Sequence, residues 1–438
     1  METTIWIVML LVLFGLLFMG AWIGVALGMT AFIIMYFWGG GIQLMGGQMW
    51  ESLNMYGLTA VPAFMFMGEV ILRSGLSERA YACIAPLAAR LPGKLLQVNI
   101  IMCTIFAAVF GSSTACAAAV GSVAIPELRR RKYNDNLILG SICVAGTLAF
   151  MIPPSSQFVL YGTIVGVSIA DMFAAGVAPG LLMGALFMGY LAVKAKISPE
   201  IAPDDEKPQT WGASIKAAFG LWPIVFIMVA AVGPIYAGWC TTTESAGVGA
   251  LASIIIGAAF GKLRWKEAWV SVKETTRITC MLFFIIIGAM ALATVVSSLG
   301  MARHTIDYIN SLGLSKFWML VIIYALYMFL GCLFDGISMM LMTLPFIFPI
   351  TEAMGFDAVW FGVMLCLVIE VAMITPPVGM NLYVIMSVAG KDAEGRQASV
   401  WDIFNGSLPF MICSLIVLAV ITIWPGFVTY LPSLLSHH

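Results

Sequence analysis

Two pairs of prolines recur in this chain with one spacing, and they restrict what each half of it can fold into. Pro126 and Pro153 lie 27 residues apart, and Pro349 and Pro376 repeat that spacing 223 positions further on. Each pair ends in a double proline within an apolar run, where proline removes a backbone donor and clashes with the preceding helical turn. The pattern predicts two related halves, each containing one broken helix.

The composition places both halves in a membrane. The 438 residues are 61% hydrophobic and 10% charged, with a mean hydropathy of +1.01. Apolar segments of about 17–25 residues recur from end to end, and each is long enough to cross a bilayer as a helix. Because backbone groups in lipid must be satisfied internally, and the alternation of a membrane β-barrel is absent, we expect an all-α integral membrane protein.

The sequence lacks the motifs that are typical of several other functional classes. The nine cysteines form no Cys-x-x-Cys pair and no cluster with histidine, which argues against a metal centre or a disulfide framework. The chain has no hydrolase elbow, zinc-protease motif or phosphate-binding loop, so we expect neither an enzyme nor an ATPase. It also has no basic patch with interleaved aromatics, which argues against nucleic acid. Transport driven by an ion gradient or by a separate motor is the class that fits.

The breaks also predict the domain organisation. A first repeat spans residues 1–196 and a second spans 218–438, on either side of a polar cytoplasmic linker at 197–217. Each repeat has scaffold spans, an interrupted hairpin stretch and a broken helix. In the first repeat the scaffold spans lie at 5–74, the hairpin at 95–128 and the broken helix at 137–167. In the second repeat the hairpin lies at 316–351 and the broken helix at 358–389.

Each hairpin stretch is long enough for two crossings or for one re-entrant hairpin. Re-entrant hairpins leave five crossings in each half, and an odd number inverts the second half relative to the first, as in secondary transporters built from inverted repeats. This topology puts 19 of the 21 Lys and Arg residues on the cytoplasmic side, as the positive-inside rule requires. It places both chain termini on the periplasmic side.

The polar interruptions of the hairpins and the two double prolines carry the candidate binding residues. We call Gly111–Thr114 the first tip, Asp335–Ser338 the second tip, Pro153-Pro154 the first break and Pro376-Pro377 the second break. Hydroxyls and free carbonyls at helix ends are oxygen ligands that suit a hard cation such as sodium. The alternative interpretation is that small residues at the tips allow close helix packing and that the prolines are simple kinks.

The selected residues fall into two sets. For sodium we select residues at the tips and at the start of each break: Ser112, Ser113, Pro153, Asp335, Gly336, Thr375 and Pro376. For the substrate we select residues that follow the tips and breaks: Thr114, Ser155, Ser156, Gln157, Gly379 and Asn381.

Three acids in or beside apolar segments have alternative roles. Asp335 is either a cation ligand or the cap of the second hairpin arm, and Glu244 is expected to cap the helix that starts at its position. Glu370 is a proton or ion site, or faces a polar crevice. Since no Lys or Arg falls within a predicted core segment, an anionic substrate would be held by helix N-termini, hydroxyls and co-bound cations.

These motifs together resemble the large membrane subunit of TRAP (tripartite ATP-independent periplasmic) transporters. The resemblance covers essentially the whole chain and rests on motifs of both halves: Phe110–Ala115, Ile125–Leu128, Ile152–Ser156, Tyr161-Gly162, Phe173–Gly176, Pro179-Gly180, Thr243–Ala246, Asp335 with Pro345 and Pro349, and Thr375–Gly379.

The resemblance implies a sodium-coupled, elevator-type importer of the bacterial inner membrane that needs no cofactor besides Na⁺. It implies a periplasmic binding protein that delivers a carboxylate, such as a C4-dicarboxylate or sialic acid, and a small four-helix membrane subunit. It implies one sodium site at Ser112, Ser113 and the carbonyls near Pro153. A second would lie at Gly336, Thr375 and the carbonyls near Pro376.

Three competing functions differ from this one. A stand-alone sodium/dicarboxylate symporter would need no binding protein. A channel would need a continuous pore lined by rings of polar groups, which two hairpins entering from opposite faces do not suggest. An intramembrane enzyme would need a nucleophile–base pair, and the sequence offers no candidate pair.

Overall fold

The computed structural model describes residues 2–39, 42–88, 90–203, 210–311, 313–391 and 395–435. All regular secondary structure in these residues is helical, so the expected all-α fold is confirmed. The helices of the first half are α1 (Glu2–Phe18), α2 (Ile23–Ile34), α3 (Ile42–Leu53), α4 (Ala60–Arg73), α5 (Leu76–Ala88), α6 (Leu95–Phe110), α7 (Ser113–Arg130), α8 (Asp135–Ala145), α9 (Ser156–Val165) and α10 (Ile169–Ile197).

The remaining helices belong to the second half of the chain. Its helices are α11 (Trp211–Ala218), α12 (Trp222–Tyr236), α13 (Thr242–Phe260), α14 (Trp265–Ser298), α15 (Met301–Ser311), α16 (Lys316–Gly331), α17 (Gly336–Ala353), α18 (Ala358–Ala372), α19 (Met380–Ala389), α20 (Val400–Ile423) and α21 (Gly426–Leu435). The helices after the tips, α7 and α17, both have 18 residues. The cis peptide bonds of the chain described here are Pro153-Pro154 and Pro376-Pro377.

The lengths of the helices identify a multi-pass membrane protein. Six helices of the described chain are long and apolar enough to cross a membrane, with a seventh if the pair Met45–Leu53 and Tyr56–Arg73, bent by 49°, forms one span. Both pieces of each broken helix are apolar but have 10–17 residues, fewer than the roughly 20 that a crossing needs. Each of the two helices that flank a break is therefore too short to cross the membrane alone, and the two together make one crossing.

Some helices extend beyond the apolar segments of the sequence. Helix α14 begins at Trp265, and its first turns carry charged residues that a hydropathy criterion excludes from a membrane span. Helix α3 lies within the predicted scaffold range 5–74, in a Gly-rich segment. Residues 204–209 of the predicted linker lie outside the described residues.

The two halves of the sequence interleave in space. Helix α2 packs along α14 and α4 along α13, and these helices form one group. A second group joins α8 to α20 and α7 to α19. Each close pair takes one helix from each half, so neither half buries its apolar surface alone.

Glycine pairs allow the closest of these contacts. A Cβ on Gly140 of α8 would lie 2.1 Å from the carbonyl carbon of Gly406 on α20. A Cβ on Gly288 of α14 would lie 2.5 Å from the Gly24 carbonyl oxygen on α2. Small residues at such crossings let helix backbones touch, which is how membrane helices gain packing energy without a hydrophobic driving force.

An arginine joins the first hairpin to the end of the second broken helix. Arg129, in the last turn of α7, bonds the Asp135 carboxylate in a fork, at 2.6 and 2.9 Å. The same guanidinium donates to the Ala389 carbonyl, at the C-terminus of α19, and to the Lys391 carbonyl at 3.3 Å. Its side chain is 14% exposed. Because Arg129 also meets the negative end of α19, it stabilises the position of that helix against α7.

Candidate functional site

Both tips are N-termini of helices. Ser112 has extended backbone at the N-cap of α7, and it follows Gly111, whose φ of +56° is a left-handed conformation that glycine adopts without strain. Asp335 holds the same position before α17, and its carboxylate accepts the Ser338 amide at 3.2 Å. Of the two roles predicted for Asp335, the structure therefore contains the cap, while a cation ligand role stays a prediction.

The first tip packs directly against the first break. A Cβ on Gly111 would lie 3.3 Å from both the Pro154 carbonyl oxygen and the Ser156 amide nitrogen. The Ser156 hydroxyl donates to the Gly111 carbonyl, and the Ser155 hydroxyl donates to the Phe150 carbonyl at 2.8 Å. Both serines are buried. Both hydroxyl hydrogens bind the backbone in this conformation. Ser156 therefore joins the first tip to the first break, while the Ser155 bond lies within the broken helix itself.

The second break is more open than the first. Pro153, Pro154 and Ser155 are buried, whereas Pro377 is exposed and Thr375 is half-buried. The Thr375 hydroxyl donates its hydrogen to the Val371 carbonyl at 2.7 Å. Its oxygen lone pairs remain available to a cation.

Each tip contacts the broken helix of the other half. The Asn381 amide, beyond the second break, donates to the Ser113 hydroxyl at 2.6 Å and to the Cys143 carbonyl at 3.3 Å. A Cβ on Gly336, at the second tip, would lie 2.8 Å from Nε2 of Gln157, beyond the first break. The sequence placed these residues in pairs of matching segments, but it contained no signal for this crosswise contact.

Four helix N-termini are connected through these contacts, those of α7, α9, α17 and α19. The carbonyl ends of α6, α16 and α18 lie beside them, and the Cys332 thiol after α16 contacts the Pro376 carbonyl at 3.4 Å. Helix N-termini favour anions, and carbonyl ends favour cations. One location therefore offers both types of partner without a basic side chain.

The side-chain amides of Asn381 and Gln157 differ in whether their amide hydrogens are hydrogen-bonded. Asn381 is fully buried, and both contacts described above use its amide hydrogens. Gln157 is also fully buried, but neither Nε2 nor Oε1 has a hydrogen-bond partner. A buried amide without partners is costly, which makes Gln157 a candidate binding group.

The remaining candidates have these positions. The Thr114 hydroxyl lies 3.3 Å from the Ser112 hydroxyl at the first tip, and Gly379, the N-cap residue before α19, has a φ of +56°. Glu244 and Thr241 form a capping box at the start of α13, which confirms the capping role predicted for Glu244. Among the described residues, no three His, Cys, Asp or Glu side chains come together to hold a metal. The oxygen atoms present at the tips are those of hydroxyls, backbone carbonyls and the Asp335 carboxylate.

Comparison with known proteins identifies the family. The family described as "Tripartite ATP-independent periplasmic transporter, DctM component" matches residues 10–427. The C4-dicarboxylate TRAP transporter large permease protein DctM of Pseudomonas aeruginosa is 31% identical over 417 residues, which cover 94% of each chain. The sialic acid TRAP transporter large permease protein SiaM of Vibrio cholerae is 29% identical over 426 residues, or 96% of each chain.

A solved structure agrees on the fold. The Alcanivorax borkumensis YdaH transporter matches with a TM-score of 0.66 over 89% of both chains, at 12% sequence identity, a likeness that concerns the fold alone. The related sequences are transporter permeases, which confirms that the chain is not an enzyme. The chain belongs to the DctM-component family and is the large membrane subunit of a TRAP transporter.

Proposed function

We propose that this subunit imports a small organic anion, driven by sodium, by an elevator movement of the group of helices that carries the tips and breaks. The substrate is a carboxylate of the size of a C4-dicarboxylate or sialic acid. The relatives' names include C4-dicarboxylate, sialic acid and ectoine transporters, which supports a small polar solute but does not select one. The proposed location is the bacterial inner membrane, with both chain termini in the periplasm.

The observation that carries this proposal is the crosswise contact between the tips and the breaks. Because Asn381 bonds Ser113 and Gln157 packs on Gly336, moving one tip also moves both broken helices. Such a unit is suited to moving as one body against the other group of helices, the one formed by α2, α4, α13 and α14. An inverted relation between the two halves would place matching sites on both sides of that body.

Two sodium sites are proposed within this unit, one at each tip. The first uses Ser112, Ser113 and the carbonyls near Pro153. The second uses Thr375, whose lone pairs are free, with the Gly336 backbone and the carbonyls near Pro376. Asp335 lies beside the second site and adds a negative charge there. Sodium is a hard cation, so oxygen ligands are sufficient to bind it.

The substrate site is proposed between the two sodium sites. Gln157 supplies an amide with free donors and Thr114 a hydroxyl, while Gly379 allows close approach of backbone to ligand. The hydroxyl hydrogens of Ser155 and Ser156 are used by the backbone in this conformation, so a hydrogen bond from either to a carboxylate requires a rearrangement. The converging helix N-termini and the bound sodium ions supply the positive potential.

A small four-helix membrane subunit and a periplasmic substrate-binding protein are the proposed partners, on the basis of family membership. The test is uptake of labelled carboxylates into liposomes that contain both membrane subunits. We expect uptake only with an inward sodium gradient and the binding protein together. Sodium-driven uptake without the binding protein would favour the stand-alone symporter, and uptake that ignores sodium would refute the coupling.

A further inference from the structure

One buried carboxyl group in the group of helices that carries the breaks has no charged partner. Glu370 lies in the last turn of α18 and is 1% exposed. Its Oε1 atom has no hydrogen-bond partner, and Oε2 lies 3.4 Å from the Thr147 hydroxyl oxygen. Nothing in such surroundings would compensate an ionised carboxylate for the loss of its hydration. The neutral acid avoids that cost.

The Thr147 hydroxyl offers Glu370 an acceptor and not a donor. It lies 2.7 Å from the Val144 carbonyl, one helical turn earlier, which is the shorter and stronger of its two contacts. A hydroxyl group carries one hydrogen, and this bond uses it. The contact between Thr147 and Glu370 is then a hydrogen bond only if the hydrogen belongs to the Glu370 carboxyl.

The elements packed against α18 bring no basic group to this carboxyl. They are α9, α10, α16, α17, α20, α21 and the turn Gly146–Phe150. Their charged residues lie in first or last turns and are exposed or half-buried: Asp171, Lys194, Lys196, Lys316, Glu352 and Asp402. Their uncharged titratable residues are Tyr161, Tyr190, Tyr324, Tyr327, Cys413 and Tyr430. On α18 itself, Cys366 lies one turn before Glu370.

The position of this pair connects it to the site. Thr147 and Glu370 are 223 residues apart, the same separation as the two breaks, so equivalent positions of the two halves meet here. Ile369, next to Glu370, lies 2.8 Å from where a Cβ on Gly336 would stand. A charge appearing on Glu370 would therefore act where the halves touch, beside the second tip.

We infer that Glu370 is a proton-binding site within the moving group of helices, and that transport requires its protonated form. This inference rests on the proposed function. The ligand is a proton and not a third sodium ion, because the carboxyl has one polar partner among the described residues, whereas a sodium ion needs several oxygens. Ionisation of Glu370 would place an unpaired charge between the halves and stop movement.

The direct test is an infrared difference spectrum of the purified complex of both membrane subunits. We expect that wild type minus Glu370→Gln contains the carbonyl band of a protonated carboxyl group, shifted in heavy water. A difference spectrum with ionised carboxylate bands instead would overturn the inference. This measurement needs no transport, so its result stands whether or not uptake is coupled to sodium.

A second test measures the pH dependence of uptake at a fixed sodium gradient. Wild-type uptake is expected to fall about tenfold per pH unit above the midpoint of Glu370 ionisation. Glu370→Gln keeps a hydrogen-bond donor toward Thr147 and cannot ionise, so its uptake should not show this decrease. Thr147→Ser keeps the acceptor and should behave as wild type; Thr147→Val removes it and should move the midpoint. Identical pH profiles for wild type and Glu370→Gln would refute the requirement for the proton.

Discussion

Replacing Gly336 by alanine tests whether the second tip is in close contact with both broken helices. The added Cβ would lie 2.8 Å from the Gln157 amide nitrogen, from Cγ2 of Ile369 and from Sδ of Met373. Ordinary van der Waals contacts of a Cβ begin near 3.4 Å, so three side chains must each move by more than half an ångström. Overpacking of this kind costs about 1–3 kcal/mol.

A matched substitution separates this effect from helix propensity. Gly247, in α13, has no atom within 4 Å of its Cβ position and is exposed. Gly247→Ala should be neutral or stabilise by up to about 1 kcal/mol, because alanine favours helix over glycine. Gly336→Ala should lower the apparent melting temperature of the purified complex by a few degrees.

Gly336→Ala should alter transport as well as stability, whereas Gly247→Ala should leave transport unchanged. Uptake by Gly336→Ala is expected to need more sodium than wild type, since the displaced tip carries a proposed sodium ligand, while Gly247→Ala keeps the wild-type sodium dependence. If both variants melt and transport alike, the close contact between the second tip and the broken helices does not exist in the working protein.

Three other experiments test separate parts of the account. Ser113→Ala and Thr375→Ala should each raise the sodium concentration for half-maximal uptake, by about tenfold for each 1.4 kcal/mol of lost binding, in protein that is still folded and inserted; unchanged sodium activation in both would refute the site assignment. Arg129→Ala should destabilise the complex by about 1–3 kcal/mol in a melting experiment, because it loses the bonds to a carboxylate and to the end of α19. The control is Arg130→Ala, at a position 72% exposed, which should change the stability by less than about 1 kcal/mol. A cysteine placed at Lys132 should react with an impermeant reagent only from the cytoplasm, and labelling from the periplasm would overturn the predicted topology.

The membrane class and the positions of the breaks could be predicted because they depend on local chemistry. A double proline interrupts a membrane helix whatever surrounds it, and the repeat of Pro153-Pro154 at Pro376-Pro377 is visible in the sequence. Helix ends within amphipathic or charged segments were less predictable. The first turns of α14, which begins at Trp265, are helical but not apolar.

Contacts between distant segments could not be predicted, because no local pattern encodes them. The sequence selected Ser113 and Asn381 separately, but their hydrogen bond depends on how α7 and α19 pack. For the same reason Ser155 and Ser156 were selected for the substrate, although in this conformation both hydroxyls bond backbone carbonyls. The interleaving of the two halves also depends on glycine contacts such as that of Gly140 with Gly406.

Direct binding of radioactive sodium to the purified complex of both membrane subunits tests the central claim without a substrate or a gradient. The account predicts saturable binding that weakens in Ser113→Ala and in Thr375→Ala but not in Gly247→Ala. Binding that does not saturate, or that is the same in all these variants, would contradict the claim that the tips and breaks form the sodium sites.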